Sequence, residues 1–243
     1  MASGRLVQRY FHFDQKERKD FFITSIILSL ILFFFVWRTT DYDLVSALAS
    51  YFQFFIIVIG SLFLFVAVPK WFAIHRHYTA QYQGWLMASL IGFVVSFTTY
   101  GFVPLLFPGL IEIQRIDRLR HGKVFPGENR YDIFTILSLA PITSIFLSII
   151  LQFFFQLTDL PFFYAGMVFS AALAFFSLLP FSKNIGAHLF YTNKTNYFFL
   201  LFFSFSFFIF TIAGLFFSAV FATILTGILW LLSKKHLKKQ YGV

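Results

Sequence analysis

Long runs of residues without a charged side chain are the feature that most constrains what this chain can fold into. Five such runs cover residues 21–37, 44–68, 133–155, 161–179 and 197–232. An α-helix rises about 1.5 Å per residue, so about 20 apolar residues cross a hydrocarbon core of about 30 Å. We therefore expect an all-α protein whose helices form a polytopic transmembrane bundle.

The composition agrees with a membrane protein. Soluble domains average about 25% charged residues, whereas this chain of 243 residues has 12%. No polar stretch is long enough for a separate soluble core. We expect one membrane domain over residues 21–232, a basic N-terminal segment over 1–20 and a basic tail over 233–243. No small-residue cleavage site follows the first run, so we expect that run to be retained as a helix.

The formal net charge of +9 has a membrane explanation. A nucleic-acid surface needs its basic residues collected on one folded face, but here Lys and Arg lie at the ends of the apolar runs. The lipid bilayer is therefore an expected partner and nucleic acid is not. The chain has no cysteine, which excludes disulfides and thiolate metal sites.

The last apolar run predicts two crossings. Its 36 residues would extend about 54 Å as one helix, which is too long for one crossing. A hairpin near Gly214 divides the run into two helices of suitable length. The bundle is then expected to have about six spans in addition to the apolar segment 85–110.

Basic residues predict the orientation of the chain. Five precede the first run, five lie in the connection 112–132 and four follow the last run, and the positive-inside rule places all three segments in the cytoplasm. Segment 85–110 then cannot be a simple crossing. Either it is re-entrant and broken around Gly101 and Pro104, or it is an ordinary span and the charge rule is broken. Both termini are expected in the cytoplasm of an integral, multi-pass cell-membrane protein.

The second apolar run leads into the only closely spaced histidines, His75 and His77. Residues 71–76 read Trp-Phe-Ala-Ile-His-Arg, and residues 80–84 read Ala-Gln-Tyr-Gln-Gly. This series resembles the H-E-x-x-H helix, with its basic residue and A-x-x-Y-G-like tail, of the archaeal branch of the site-2 proteases, which are zinc intramembrane metalloproteases. In that register His75 matches the second histidine, Trp71 the first, and Phe72 the catalytic glutamate.

Three downstream segments extend this resemblance in the same order. Residues 107–113, with Pro108 and Gly109, are similar to the P-G-A-x-Y-I element. Residues 138–145 resemble the A-G-P-x-x-N helix start without its glycine and with Ser144 in place of asparagine. Residues 178–187 resemble the N-L-x-P-x-x-x-L-D-G motif, which carries the third zinc ligand. In that motif Pro180 and Gly186 are kept, and Ile185 replaces the aspartate.

The resemblance implies a site-2-protease-like core whose zinc site has been dismantled. A catalytic zinc needs three protein ligands, an open water position and a glutamate base. Trp71 and Ile185 cannot bind a metal, and Phe72 cannot accept a proton. The leading hypothesis is a pseudoprotease without catalytic residues or cofactor, a scaffold that binds transmembrane helices of client proteins. The candidate groove residues are Pro108, Gly109, Pro180 and Gly186.

Other hypotheses fit the sequence. An active zinc metalloprotease would use unconventional ligands, with His75 and His188 as the residual candidates. A structural subunit of a membrane complex, or a transporter, would need no such site, although no spanning run has the Asp or Glu typical of ion-coupled transport. The simplest interpretation of the His-Arg-His cluster is a set of interfacial side chains that reach from a helix end to water.

Overall fold

The computed structural model describes residues 11–37, 44–102, 104–115 and 129–214. This part of the chain is mostly helical, as predicted. Its elements are α1 (Gln15–Trp37), α2 (Leu44–His75), β1 (Tyr78–Gln83), α3 (Leu86–Thr98), β2 (Leu110–Arg115), α4 (Arg130–Thr158), α5 (Pro161–Ser177), α6 (Ile185–Thr192) and α7 (Lys194–Ile212). Helices α1, α2, α4 and α7 are each long and apolar enough to cross a membrane.

The helix ends follow local chemistry. Asn129 caps α4 by accepting a hydrogen bond from the backbone N–H of Tyr131, which satisfies a donor that has no partner inside the helix. The turn after α4 uses Asp159 in a left-handed conformation, with φ of 52°. Pro161 then begins α5 at a position where its missing N–H has no cost. These residues make α4 and α5 a tight antiparallel pair.

Helix α2 is longer than the apolar run that predicted it. Pro69 lies inside this helix, which continues through it and ends at His75. Its 32 residues extend about 48 Å, more than a hydrocarbon core needs. Helix α2 is therefore long enough for its last turns to project beyond the apolar layer.

A small β-sheet corrects the expectation of an all-α fold. Strands β1 and β2 pair antiparallel, from Tyr78 opposite Arg115 to Gln83 opposite Leu110. Burial alternates along much of β1, with Tyr82 buried between exposed glutamines, which is the period of a half-buried strand. The strand was missed because it is six residues long and its partner lies beyond the intervening apolar segment.

The chain between the two strands goes out and comes back. Helix α3 has 13 residues and is about 20 Å long. Tyr100 and Gly101 then turn the chain with positive φ angles of 50° and 76°. The returning segment, residues 104–109, lies against α3. There the Ser89 hydroxyl donates a hydrogen bond to the carbonyl oxygen of Phe107 at 2.9 Å. We call residues 84–109 the out-and-back element.

The out-and-back element lies along α1. A Cβ at Gly84 would lie 2.6 Å from the Thr24 hydroxyl, and one at Gly101 would overlap the backbone of Phe34. Ten helical positions separate Thr24 from Phe34, which is about 15 Å. The element therefore begins and ends beside the start of α1, and its tip lies near the other end of that helix.

Helices α2, α4 and α5 form the centre of the described molecule. Helix α2 packs against α1, α4, α5 and β1, α5 lies between α4 and α7, and α6 packs on α4 and α7. Fully buried apolar side chains come from most of these elements, including Leu28, Phe65, Ile136, Phe169 and Ile185. One continuous apolar core therefore joins the helices to the sheet.

Part of the predicted topology lies outside the described residues. Helix α7 ends at Ile212, and Gly214 has a φ of 71°, so the helix ends at the predicted hairpin position. Residues 215–232, which would form the returning span, and most of the basic residues used to orient the chain fall in the undescribed ranges.

Candidate functional site

The residues that match the H-E-x-x-H register lie at the end of α2. Trp71 and His75 are exposed, one helical turn apart, with ring centroids 4.3 Å apart. The Nδ1 atom of His75 lies 2.9 Å from the Trp71 carbonyl oxygen. Phe72 is half-buried, and the Arg76 guanidinium lies 5.5 Å from its ring centroid. This helix end has the mixed aromatic and basic character of a side-chain cluster at a membrane interface.

The position that matches the third zinc ligand has a different environment. Ile185 begins α6 and has no exposed surface, because it packs inside the main core. His188, three residues later, is exposed and lines a pocket with Glu112 and Arg130. Within the described ranges, no three His, Asp or Glu side chains are grouped to hold a metal ion.

His77 lies beyond the end of α2. The helix ends at His75, and His77 adopts a left-handed conformation with a φ of 65°. Both histidines are exposed. Arg76 between them forms an ion pair with Asp132 at 3.4 Å, which links the end of α2 to the start of α4.

Three of the four candidate groove residues are packing points. Gly109 has a φ of 96°, and a Cβ there would overlap the carbonyl oxygen of Gln83, while a Cβ at Gly186 would overlap that of Leu178. The carbonyl oxygen of Pro108 accepts a hydrogen bond from the Tyr82 hydroxyl. These three residues are buried, and only Pro180 is exposed. Close backbone approach explains why glycine is required at positions 109 and 186.

The two segments that carry these residues contact each other. The rings of Phe107 and Phe181 lie 5.4 Å apart, edge to face. Asn184 closes the loop before α6 by donating to the carbonyl oxygens of Phe176 at 2.7 Å and Leu179 at 3.3 Å. The hydroxyl of Tyr197 donates to the carbonyl oxygen of Leu178 at 2.8 Å. The described structure thus joins two segments that the sequence resemblance treats separately.

A buried ion pair near the start of α1 was missed in the sequence. Lys70 and Glu17 are 2% and 4% exposed, and the Lys70 Nζ lies 2.7 Å and 2.9 Å from the two carboxylate oxygens. The same Nζ donates to the His12 carbonyl oxygen at 2.9 Å, and the Tyr82 backbone N–H donates to Glu17 at 2.9 Å. Fifty-three positions separate the pair, so no local pattern indicated it.

Tyr82 stands beside this ion pair in β1. Burial raises the pKa of its hydroxyl above the ordinary value, because the phenolate would lose its hydration. The hydroxyl is therefore a neutral donor at physiological pH, and it holds the Pro108 carbonyl oxygen at the end of the out-and-back element.

An apolar groove lies between α4 and α7, which form its two walls. It has a volume of about 400 Å³ and runs along residues 134–149 of α4 and 196–203 of α7. Its lining is almost entirely hydrocarbon, with Phe134, Ile142, Phe146, Phe199 and Phe203 as the larger side chains. Below it, Ile145 packs with Ala171 and Ala174 of α5 and with Phe207. We call this feature the α4–α7 groove.

Comparison of the chain with family models, curated proteins and solved structures found no match. The resemblance to the site-2 proteases therefore rests on the residue series quoted above.

Proposed function

We propose that this protein is a non-proteolytic membrane scaffold, similar to the site-2 proteases, that holds a transmembrane helix of a partner protein in the α4–α7 groove. The observation that carries the proposal is that this groove is a concave, apolar surface between two helices of membrane-spanning character. Helix-in-groove recognition uses concave apolar surfaces of this kind.

The residues at the motif positions support binding without cleavage. Trp71 and Ile185 offer no lone pair that a zinc ion accepts, and Phe72 has no group that takes a proton from water. Ile185 is also sealed in the core. A chain with this arrangement keeps the packing frame around Gly109 and Gly186 but has no hydrolytic machinery at the corresponding positions.

The groove is long enough to contact several turns of a helix. Fifteen helical positions, about 22 Å, separate Phe134 from Ile149 on the α4 wall, and seven positions, about 10 Å, separate Asn196 from Phe203 on the α7 wall. In lipid, helices associate through side-chain packing, because the tails are as apolar as leucine. The phenylalanine side chains of the two walls offer such packing to the side chains of a third helix.

The proposed placement in the membrane follows from the out-and-back element. Its ends meet where Gln83 pairs with Leu110, beside the start of α1, so β1 and β2 lie on one side of the bilayer. The element is then re-entrant, and β2 lies on the same side of the bilayer as the start of α1, which agrees with the positive-inside rule for the connection 112–132. Packing against α1 shields its irregular backbone, as membrane depth requires.

Site-specific photo-crosslinking tests the proposal. A photoreactive residue replaces Phe146 in the groove, and a matched control replaces Ile91 on the outer face of α3. The two positions are similarly exposed, at 64% and 60%, so lipid should react with both alike. We expect position 146, and not 91, to give a discrete adduct whose linked peptide belongs to an apolar membrane-spanning segment of another protein.

Two outcomes contradict the proposal. Adducts at position 146 with lipid alone would show that the groove has no protein occupant. Adducts with this chain's own residues would show that the groove is filled from within the molecule.

A further inference from the structure

A second cavity lies between β2, the start of α4 and α6. Its volume is about 520 Å³. Ile111 and Leu137 form an apolar floor and are 2% and 1% exposed. Arg130, His188 and Tyr191 are exposed side chains at its mouth. We call it the β2–α6 pocket, and it takes no part in the proposed client groove.

The pocket presents charges of both signs. Glu112 is half-buried, and its carboxylate accepts hydrogen bonds from the side-chain amides of Gln83 and Gln114, which fix its position. Neither of the ion pairs found among the described residues involves Arg130 or His188. One oriented carboxylate and one guanidinium in a shared cavity complement a ligand that carries both a cation and an anion.

The position of the pocket points to an amphiphile. Arg130 is the first residue of α4, whose remaining length is apolar enough to span a membrane. Strand β2 pairs with β1, which packs against α1. The start of α4 therefore places the pocket at the level of the headgroups, where Arg and Tyr side chains combine apolar stems with polar ends. Its apolar floor would contact the hydrocarbon that continues from a headgroup.

We infer that the β2–α6 pocket binds a phosphoethanolamine headgroup of a membrane phospholipid. The phosphate oxygens accept hydrogen bonds from the Arg130 guanidinium, which suits phosphate geometry, and from His188. The primary ammonium donates to Glu112. The first part of the acyl chains lies on Ile111 and Leu137. This inference does not rest on client binding, because the two cavities have no lining residue in common.

Lipid retention measured by native mass spectrometry tests the inference. The full chain is purified in detergent and mixed with equal amounts of phosphatidylethanolamine, phosphatidylcholine and phosphatidylglycerol. We expect the ethanolamine lipid to be retained preferentially, because choline has no N–H donor and glycerol has no cation. Arg130→Gln should weaken retention about tenfold or more, the usual effect of losing a charged hydrogen bond.

Further variants separate the charges. Glu112→Gln should abolish the preference for ethanolamine over choline without abolishing phosphodiester binding. Lys183→Gln is the matched control, since it removes one exposed positive charge outside the pocket and should leave retention unchanged.

Three results would overturn the inference. The first is that Arg130→Gln and His188→Gln both retain lipid as well as the unaltered chain does. The second is that Lys183→Gln lowers retention as much as Arg130→Gln does, which would indicate general charge attraction. The third is that soluble phosphoethanolamine displaces the lipid at equal concentration, which would assign the pocket to a soluble ligand. Failure of crosslinking at position 146 would leave all three readouts unaffected.

Discussion

The Glu17–Lys70 pair shows how single residues organise this molecule. Charged side chains are rarely buried unless they are paired and hydrogen-bonded, and here both carboxylate oxygens and the ammonium have several partners. Those partners come from the segment before α1, from α2 and from β1. The pair therefore fixes where the sheet, and the out-and-back element attached to it, sits against the first two helices.

Removing one member of this pair should be strongly destabilising. Lys70→Met leaves a buried carboxylate without its counter-ion, which typically costs about 3–5 kcal/mol. The double variant Glu17→Gln, Lys70→Met should recover most of the loss, because the new amide oxygen still accepts from the Tyr82 N–H. Denaturant unfolding of the detergent-purified protein measures both changes.

Arg76→Gln is the control for that experiment. Arg76 pairs with Asp132 in a more exposed position, at 49% and 19% side-chain exposure, so its loss should cost less than about 1 kcal/mol. Equal losses for Lys70→Met and Arg76→Gln would show that the buried pair has no special role.

Gly186 illustrates a residue whose presence has a packing cause. A methyl group there would overlap the carbonyl oxygen of Leu178 and lie 2.6 Å from that of Leu179, and backbone atoms cannot move aside cheaply. Gly186→Ala should therefore reduce the free energy of unfolding by about 1–3 kcal/mol or more.

Gly60→Ala is the matched comparison, because no atom lies within 4 Å of a Cβ at that helical position. It should be neutral or stabilising by up to about 1 kcal/mol. Unfolding curves that place both alanine variants together would contradict the packing explanation for Gly186.

At the scale of elements, the out-and-back element connects two strands that pair with each other. In the proposed placement it therefore enters and leaves the membrane on the same side. The resulting prediction is that Thr79 and Gln114, one in each strand, face the same aqueous side, and that Asp14 before α1 faces that side too.

Cysteine labelling measures this directly, because the chain has no cysteine of its own. Intact cells expose one side of the membrane to a membrane-impermeant maleimide, and inverted vesicles expose the other. The single variants Asp14→Cys, Thr79→Cys and Gln114→Cys should all react in the same one of these two preparations. Labelling of Thr79→Cys and Gln114→Cys from opposite sides would make residues 84–109 an ordinary span.

Sequence patterns predicted the helices because burial in lipid leaves a signal in every residue of a run. The extension of α1 back to Gln15 was missed, since the polar first turns of that helix lie outside the apolar pattern. The sheet, the Glu17–Lys70 pair and the contact of Phe107 with Phe181 depend on residues distant in sequence. No local period signals such contacts, and the α4–α7 groove arises only from the way two helices pack on α5.

At the scale of the whole molecule, two of the cavities among the described residues differ in character. The α4–α7 groove is apolar and lies along two helices of spanning length, whereas the β2–α6 pocket is charged and lies at their ends. This division matches a protein that contacts hydrocarbon with one surface and headgroups with another. Trp71, Phe72 and Ile185 add no hydrolytic chemistry to either cavity.

The most direct test of a dismantled zinc site is the metal content of the purified full chain. Elemental analysis of the detergent-purified protein is compared with an inert membrane protein prepared in parallel. We predict zinc at the level of that control, because Trp71 and Ile185 cannot replace the missing ligands. Near-stoichiometric zinc that disappears in His75→Ala or His188→Ala would contradict the account and indicate a working metal site.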